Sequence, residues 1–316
     1  MRYSLLSRFQ GALLGSLSGE SFGWESSSSP ENQENVLEGA DQRLSLESEI
    51  SFLGGASLIS RGRLNKEKWL EEIYLKKDFL LKLKNNSLSS ETAIAVLPTI
   101  LFFHESPSLL RANLEIAASI WQRPDLNLAE VMAWGEAIAL LLREKSDPRN
   151  LVKIILNNHL SSENTPLRQK LALVETLLTK KTNLDQAVRE LSRQNQSQDL
   201  AISLALYCFC ATPEDFRLGV LRALQTGDAA KKVAALTGAI AGAYHSLSGI
   251  PVSWRLAAKK QQLGRETLQQ ATSLFAVWSG VYQLENTNKE LLTQAAVGAG
   301  GTIKPRPQLQ IMSQRE

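Results

Sequence analysis

The side chains that most often hold metals or act as nucleophiles are sparse in this sequence. The three histidines, His104, His159 and His245, lie far apart, and none has a second ligand-type residue at metal-ligand spacing on the same predicted helix. Cys208 and Cys210 flank one residue, a spacing that points their side chains to different faces of a helix. We therefore expect buried apolar cysteines rather than a metal site, and a helix C-terminal cap at His245 rather than a catalytic base.

Several function classes are excluded by pattern and composition. No glycine-rich phosphate loop, nucleophile elbow or dinucleotide fingerprint follows a strand pattern. The chain is 43% hydrophobic and 21% charged, as in globular proteins, and its net charge of +3 does not predict nucleic-acid binding. No apolar run is long enough to span a bilayer, and Gly11, Gly15 and Gly19 interrupt the stretch that resembles a signal peptide. We expect a cytoplasmic protein with no nucleic-acid or membrane partner.

Apolar residues recur with the 3.6-residue period of an α-helix. Leu171, Val174 and Leu177 share one helical face, whereas period-two strand patterns are nearly absent. A proline that follows a capping side chain, as in Thr165-Pro166, predicts where a helix begins. The sequence therefore predicts an all-α fold, a compact multi-helix domain with short connectors.

One helical domain is assigned to residues 1–297, because no linker divides this part of the chain. Residues 25–35 are rich in Ser, Asn, Gln and Pro, and this composition predicts an exposed loop. Residues 298–316 begin Gly-Ala-Gly-Gly and include Pro305 and Pro307, which predicts a disordered tail.

Two segments are rich in small residues, which allow helices to approach closely. Residues 8–23 read RFQGALLGSLSGESFG, and residues 227–244 read GDAAKKVAALTGAIAGAY, followed by Ile250-Pro251 and Trp254. Weaker matches at residues 57–62 and 93–98 lie between them. In this order the segments resemble the ADP-ribosylglycohydrolases, a family that includes the dinitrogenase reductase-activating glycohydrolases and the J1 crystallins.

The resemblance implies a particular chemistry. Members cleave the bond between an ADP-ribosyl group and a protein side chain or small acceptor, using two Mg²⁺ ions held by carboxylates and threonine hydroxyls. Mg²⁺ requires oxygen ligands in octahedral geometry, and two such ions need several acidic residues to offset their charge. The implied partners are ADP-ribose or an ADP-ribosylated protein, and the implied cofactor is Mg²⁺ if the site is functional.

The first metal motif of the family, Thr-Asp-Asp-Thr, is partly retained. Counting back without gaps from residues 57–62 places it on Ser45, Leu46, Glu47 and Ser48. Leu46 offers no oxygen, and Glu47 reaches one methylene further than Asp would. This half of the implied site is damaged but not erased.

The second motif, Gly-Gly-Asp-Thr-Asp-Thr, is lost more completely. Counting back from the glycine-rich helix places its two aspartates on Ala229 and Lys231 and the following threonine on Lys232. Shifting the loop by one residue brings Asp228 to the first aspartate position, but the second is then Ala230. An ammonium group therefore stands where a divalent cation is expected.

Other family positions have changed as well. Glu20 replaces the usual Asp, and Glu25 lies near a carboxylate that is catalytic in some members; for both we favour a solvated loop edge over a catalytic role. Ala95 replaces the arginine of the middle motif, and residues 120–124 lack the family's Thr-His pair. The sequence therefore assigns no metal-ligand set.

These losses leave three hypotheses. The preferred one is a homologue that has lost binuclear Mg²⁺-dependent hydrolysis and serves as a binding or structural module, that is, a pseudoenzyme. The second is an active ADP-ribosyl hydrolase in which Glu20, Glu47 and Asp228 hold one metal ion. The third is a helical adaptor for an unidentified protein. The vestigial cleft of the first hypothesis comprises Ser45, Glu47, Ser48, Asp228 and Lys231.

Lys231 and Lys232 also suggest a ligand for that cleft. With the metals gone, their ammonium groups would bind a phosphate-bearing ligand without hydrolysing it. The alternative is that both lysines are solvated residues in the first turn of a helix.

Overall fold

The computed structural model describes residues 3–25, 45–74, 89–121, 128–144, 146–158, 165–194 and 199–280. Over these residues the all-α prediction is confirmed. These ranges contain fifteen α-helices, two short 3₁₀ helices and no strand. The helices are α1 (Leu5–Glu25), α2 (Leu46–Arg61), α3 (Lys66–Tyr74), α4 (Ser89–Ala95), α5 (Leu97–Phe103), α6 (Pro107–Ala118), α7 (Leu128–Leu142), α8 (Leu151–Asn158), α9 (Pro166–Thr179), α10 (Leu184–Gln194), α11 (Ala201–Ala211), α12 (Phe216–Ala223), α13 (Ala230–Gly249), α14 (Val252–Lys260) and α15 (Gln262–Trp278). The 3₁₀ helices are Ser119–Trp121 and Pro148–Asn150.

Helix starts follow capping side chains, as the sequence predicts. The Thr165 hydroxyl accepts a hydrogen bond from the Arg168 backbone N–H at 3.4 Å, and Pro166 is the first helical residue. The α12 helix begins at Phe216, three residues after Pro213, because the side chain of Asp215 caps it. These caps satisfy backbone N–H groups that have no partner inside the helix.

Helices α1 and α13 form the centre of the fold and lie antiparallel in direct backbone contact. A Cβ atom added at Gly238 would lie 2.1 Å from the carbonyl oxygen of Gly15, and one added at Gly19 would lie 2.1 Å from that of Ala234. No side chain fits at these crossing points. The predicted role of the small residues is therefore confirmed, and the end of α1 is fixed beside the start of α13.

The glycine-rich helix is interrupted near its end. Ser246 has φ 65° and ψ −176°, so helical dihedral angles stop at His245, where the sequence predicts the end of the helix. No described helix alone is long and apolar enough to cross a bilayer; α13 and α14 together pass that test by length and composition, but they are bent by 93°. The described part of α13 from Val233 to Ala243 is buried in the core.

Two further sequence predictions concern the core. Leu171, Val174 and Leu177 are buried along one face of α9, as predicted. Cys208 and Cys210 are buried free thiols in α11, and burial raises the pKa of Cys208 to about 12 and also raises the pKa of Cys210. Both therefore stay neutral at physiological pH. The predicted tail at 298–316 and the predicted loop beyond residue 25 lie outside the described residues.

Candidate functional site

The residues of the two family-like motifs meet where four helix ends come together. These are the C-terminal end of α1 and the N-terminal ends of α2, α4 and α13, and contacts join α1 to α13, α2 to α4 and α4 to α13. A helix N-terminus carries partial positive charge and favours nearby carboxylates. Glu47 and Glu91 lie in the first turns of α2 and α4. We call this region the cleft.

Glu20 joins α1 to the start of α2. Its Oε1 accepts a hydrogen bond from the backbone N–H of Ser45 at 2.6 Å, and its Oε2 accepts one from the hydroxyl of Ser48. Ser45 is itself the N-cap of α2, since its hydroxyl accepts a hydrogen bond from the Ser48 N–H at 3.2 Å. The interpretation of Glu20 as a solvated loop edge is therefore wrong, because the carboxylate is half-buried on a helix and accepts two hydrogen bonds.

Glu47 is half-buried in the same helix turn. Burial raises the pKa of its carboxyl group, and the negative charges of Glu91 and Glu20 raise it further, whereas the positive charge of Lys232 opposes them. The charges of these four side chains therefore act on one another across the cleft. A carboxylate in this setting gains more from a nearby cation than an exposed one does.

A lysine from α13 supplies that cation. The ammonium of Lys232 donates to Oε1 of Glu91 at 2.5 Å, with 30% of the lysine side chain and 18% of the glutamate side chain exposed. Both partners are shielded from solvent enough to make the pair stronger than an open surface ion pair. The Lys232 ammonium thus pairs with Glu91, and its charge also acts on the carboxyl group of Glu47.

A second, deeper network holds the start of α4 in place beneath this pair. The side chain of Asp199 accepts hydrogen bonds from the N–H of Ser90 at 2.7 Å and from that of Ala201 at 3.0 Å. The ammonium of Lys170 donates to the Asp199 backbone carbonyl at 2.9 Å and to Oε1 of Glu130 at 2.6 Å. Burial raises the pKa of Glu130, while its hydrogen bond to Lys170 opposes that rise. This network holds the backbone next to Glu91 in place.

The other predicted site residues are not all brought together. Asp228 is exposed in the turn before α13. Lys231 is half-buried in the first turn of α13. Glu25 is the last residue of α1, and its side chain lies outside the described residues.

The two Mg²⁺ ions implied by the resemblance do not fit the residues that form the cleft. The carboxylate of Glu91 already forms an ion pair with the Lys232 ammonium, and each oxygen of Glu20 accepts a hydrogen bond from α2. Across the described residues, no three His, Cys, Asp or Glu side chains are grouped so as to hold a metal ion. A pair of doubly charged ions needs more acidic oxygens, and no cationic neighbour.

A cavity lies at the opposite end of α1. It has a volume of about 210 Å³ and is lined by Tyr3, Arg8, Glu144 and Tyr244, among others. Arg8 and Glu20 are twelve residues apart on one helix, which corresponds to about 18 Å along its axis. This cavity is therefore separate from the cleft.

Sequence reasoning missed Glu91. The residue precedes the family-like segment at 93–98 by two positions and lies in the first turn of a helix, where an acidic side chain is favoured. This position beside a family-like segment could have indicated Glu91 as a site residue. Its pairing with Lys232 was not predictable from local pattern, because the two residues are 141 positions apart.

Comparisons with known proteins agree with this arrangement of helices. The ADP-ribosylglycohydrolase family profile matches residues 1–284. Among 45 matching chains of solved structures, one described as "ADP-ribosylglycohydrolase-related protein complex" is 18% identical, has a TM-score of 0.60, and is aligned over 87% of this chain and 99% of that chain. No curated protein matches the sequence significantly. The profile match spans most of the chain, and the protein therefore belongs to the ADP-ribosylglycohydrolase family.

Proposed function

We propose that this protein is a member of its family that binds an ADP-ribosyl ligand, or serves as a structural module, without binuclear Mg²⁺-dependent hydrolysis. The observation that carries the proposal is the Lys232–Glu91 ion pair inside the cleft. The family acts on ADP-ribosylated substrates, which supports ADP-ribose or an ADP-ribosylated protein as the ligand.

Charge argues against catalysis by two metal ions at this site. Among the described residues, the cleft offers the carboxylates of Glu20, Glu47 and Glu91, and that of Glu91 is already neutralised by an ammonium at 2.5 Å. Mg²⁺ requires near-octahedral oxygen coordination at about 2.0–2.1 Å and gives up its hydration water reluctantly. Two such ions would have to displace the Lys232 ammonium from Glu91.

The same end of α13 supports phosphate binding. Backbone N–H groups at a helix N-terminus favour anions, and Lys231 adds a cationic side chain in that first turn. Lys232 is less suited to this role, because its ammonium is paired with Glu91. We assign Lys231 to a pyrophosphate because it lies in the first turn of α13, beside the backbone N–H groups of the helix N-terminus.

Two measurements on the wild-type protein test the proposal. Calorimetry with ADP-ribose is expected to show binding that is weakened at least tenfold in Lys231→Ala. An assay for release of ADP-ribose from an ADP-ribosylated arginine or serine peptide is expected to show no turnover with or without Mg²⁺. Mg²⁺-dependent release would instead favour the active hydrolase with a reduced metal site, and would contradict the proposal.

The absence of any ADP-ribose heat in the wild type would remove the ligand-binding part and leave the structural role. The adaptor alternative predicts a different result, namely a defined complex with another protein in a pull-down and in light scattering.

A further inference from the structure

We infer that Lys232 is a tethered counter-ion that takes the place of a divalent cation, so that removing its ammonium makes the cleft able to bind one. The inference rests on the proposed function only in taking the wild-type cleft to be free of metal. It concerns a property of this chain that its family membership does not give, because the family's own motif has a threonine at this position.

The first step is that a cation already pairs with one of the carboxylates of the cleft. The ammonium of Lys232 lies 2.5 Å from Oε1 of Glu91, and the pair joins α13 to α4. The lysine reaches this position from the first turn of a helix whose backbone is locked against α1 by the glycine contacts. The positive charge is thus delivered by the fold and not recruited from solvent.

The second step is that the charge of Lys232 also acts on a second carboxyl group, that of Glu47. Burial, and to a smaller extent the charges of Glu91 and Glu20, raise the pKa of the Glu47 carboxyl group, whereas a backbone hydrogen bond and the charge of Lys232 lower it. With formal charges, Glu20, Glu47 and Glu91 contribute −3 and Lys232 contributes +1, a balance of −2 that becomes −3 without the ammonium. A partly buried set of like charges then gains by taking up a cation.

The third step concerns the coordination that would result. Shortening Lys232 to alanine removes the aliphatic stem as well as the charge, which leaves room for a hydrated ion next to Glu91. Because no three acidic side chains of the described residues are grouped for ligation, the ion would be held by one or two carboxylates and by water. Mg²⁺ and Mn²⁺ are commonly bound in this way.

The test compares Mn²⁺ binding to the full-length wild type and to Lys232→Ala, by electron paramagnetic resonance and calorimetry. We expect Lys232→Ala to bind one Mn²⁺ with a dissociation constant at least tenfold lower than that of the wild type. The double variant Lys232→Ala/Glu91→Gln is expected to lose this gain, because it lacks the carboxylate that the lysine had neutralised.

A matched control removes a cation from an exposed ion pair elsewhere. Arg149 pairs with Glu214, with 68% and 64% of the two side chains exposed. Arg149→Ala also leaves a carboxylate without its partner, but in solvent, so it is expected to bind Mn²⁺ no better than the wild type. A gain in this control equal to that of Lys232→Ala would overturn the inference.

A structural role for Lys232 alone predicts a different pattern. If the lysine only joins α4 to α13, Lys232→Ala is destabilised and divalent cations do not restore its melting temperature. The counter-ion role predicts that Mn²⁺ restores it and that Mn²⁺ leaves the wild type unchanged. Should Lys232→Ala fail to fold, Lys232→Ser also removes both the charge and the aliphatic stem while retaining a polar side chain, and the same gain in Mn²⁺ affinity is required of it.

The two ideas fail separately. Equal Mn²⁺ affinity of Lys232→Ala and the wild type would refute the counter-ion role and leave the proposed function intact. Mg²⁺-dependent hydrolysis by the wild type would refute the proposed function directly.

Discussion

Replacing Gly242 with alanine tests the packing of α1 against α13, on which the position of the cleft depends. A Cβ atom at residue 242 would lie 1.9 Å from the carbonyl oxygen of Gly11, whereas ordinary contact begins at 3.4 Å. The helices would therefore have to separate by about 1.5 Å, the difference between these distances. The obstacle is backbone, so no rotamer change relieves it.

The expected magnitude follows from two opposing effects. Overpacking costs about 1–3 kcal/mol, and we take the upper end because both partners are rigid helices. Alanine in place of glycine gains about 1 kcal/mol of helix propensity. Gly242→Ala is therefore expected to lower the free energy of unfolding by about 2 kcal/mol, measured by urea denaturation with circular dichroism.

Gly219 provides a matched control in α12. The atom nearest to a Cβ at this position is the Thr212 hydroxyl oxygen at 3.6 Å, which is ordinary contact. Gly219→Ala is expected to be as stable as the wild type or more stable, by up to about 1 kcal/mol. Equal destabilisation of both variants, or a Gly242→Ala variant as stable as the wild type, would refute the close-approach reasoning.

Three other perturbations have defined outcomes. Because burial raises the pKa of Glu47, the folded state disfavours the ionised carboxylate, and the protein loses stability as pH rises from 4.5 to the raised pKa. Thermal unfolding is expected to show that Glu47→Gln is more stable than the wild type at pH 7 and loses this advantage at pH 3. Burial lowers the pKa of His104 from 6.5 to about 4, so the folded state favours the neutral imidazole. The free energy of unfolding therefore falls by about 3 kcal/mol as pH drops from 6.5 to 4. His104→Asn is expected to flatten this part of the stability profile, and an unchanged profile would show that His104 is not the cause. Lys170→Met leaves Glu130 buried without its partner and is expected to cost about 3–5 kcal/mol in urea denaturation, whereas Lys170→Met/Glu130→Gln recovers part of the loss; equal stability of single and double variants would contradict this.

The helical pattern was sufficient to predict the all-α class, and the small-residue spacing was sufficient to predict close helix packing. The period of Leu171, Val174 and Leu177 is a local property of one helix, and its buried face follows from that period alone. The glycines of α1 and α13 likewise predicted a close approach, because only glycine leaves room for backbone contact. The start at Thr165-Pro166 was predictable for the same reason, since capping involves neighbouring residues.

The cleft was less predictable because its contacts join distant parts of the chain. Counting along the motifs places Lys231 on an aspartate position and Lys232 on the following threonine, but local pattern did not indicate that Lys232 pairs with Glu91, 141 positions away. Glu20 was misjudged because an acidic residue after a glycine-rich stretch resembles a loop edge, whereas α1 continues to Glu25. Its hydrogen bonds to Ser45 and Ser48 depend on how α2 is placed.

A crystal structure of the wild-type protein grown with Mn²⁺ tests the central claim most directly, because the anomalous signal of manganese locates the ion. We predict no anomalous peak among Glu20, Glu47 and Glu91, with the Lys232 ammonium at hydrogen-bond distance from Glu91. A manganese ion coordinated by these carboxylates, with Lys232 displaced, would contradict the account.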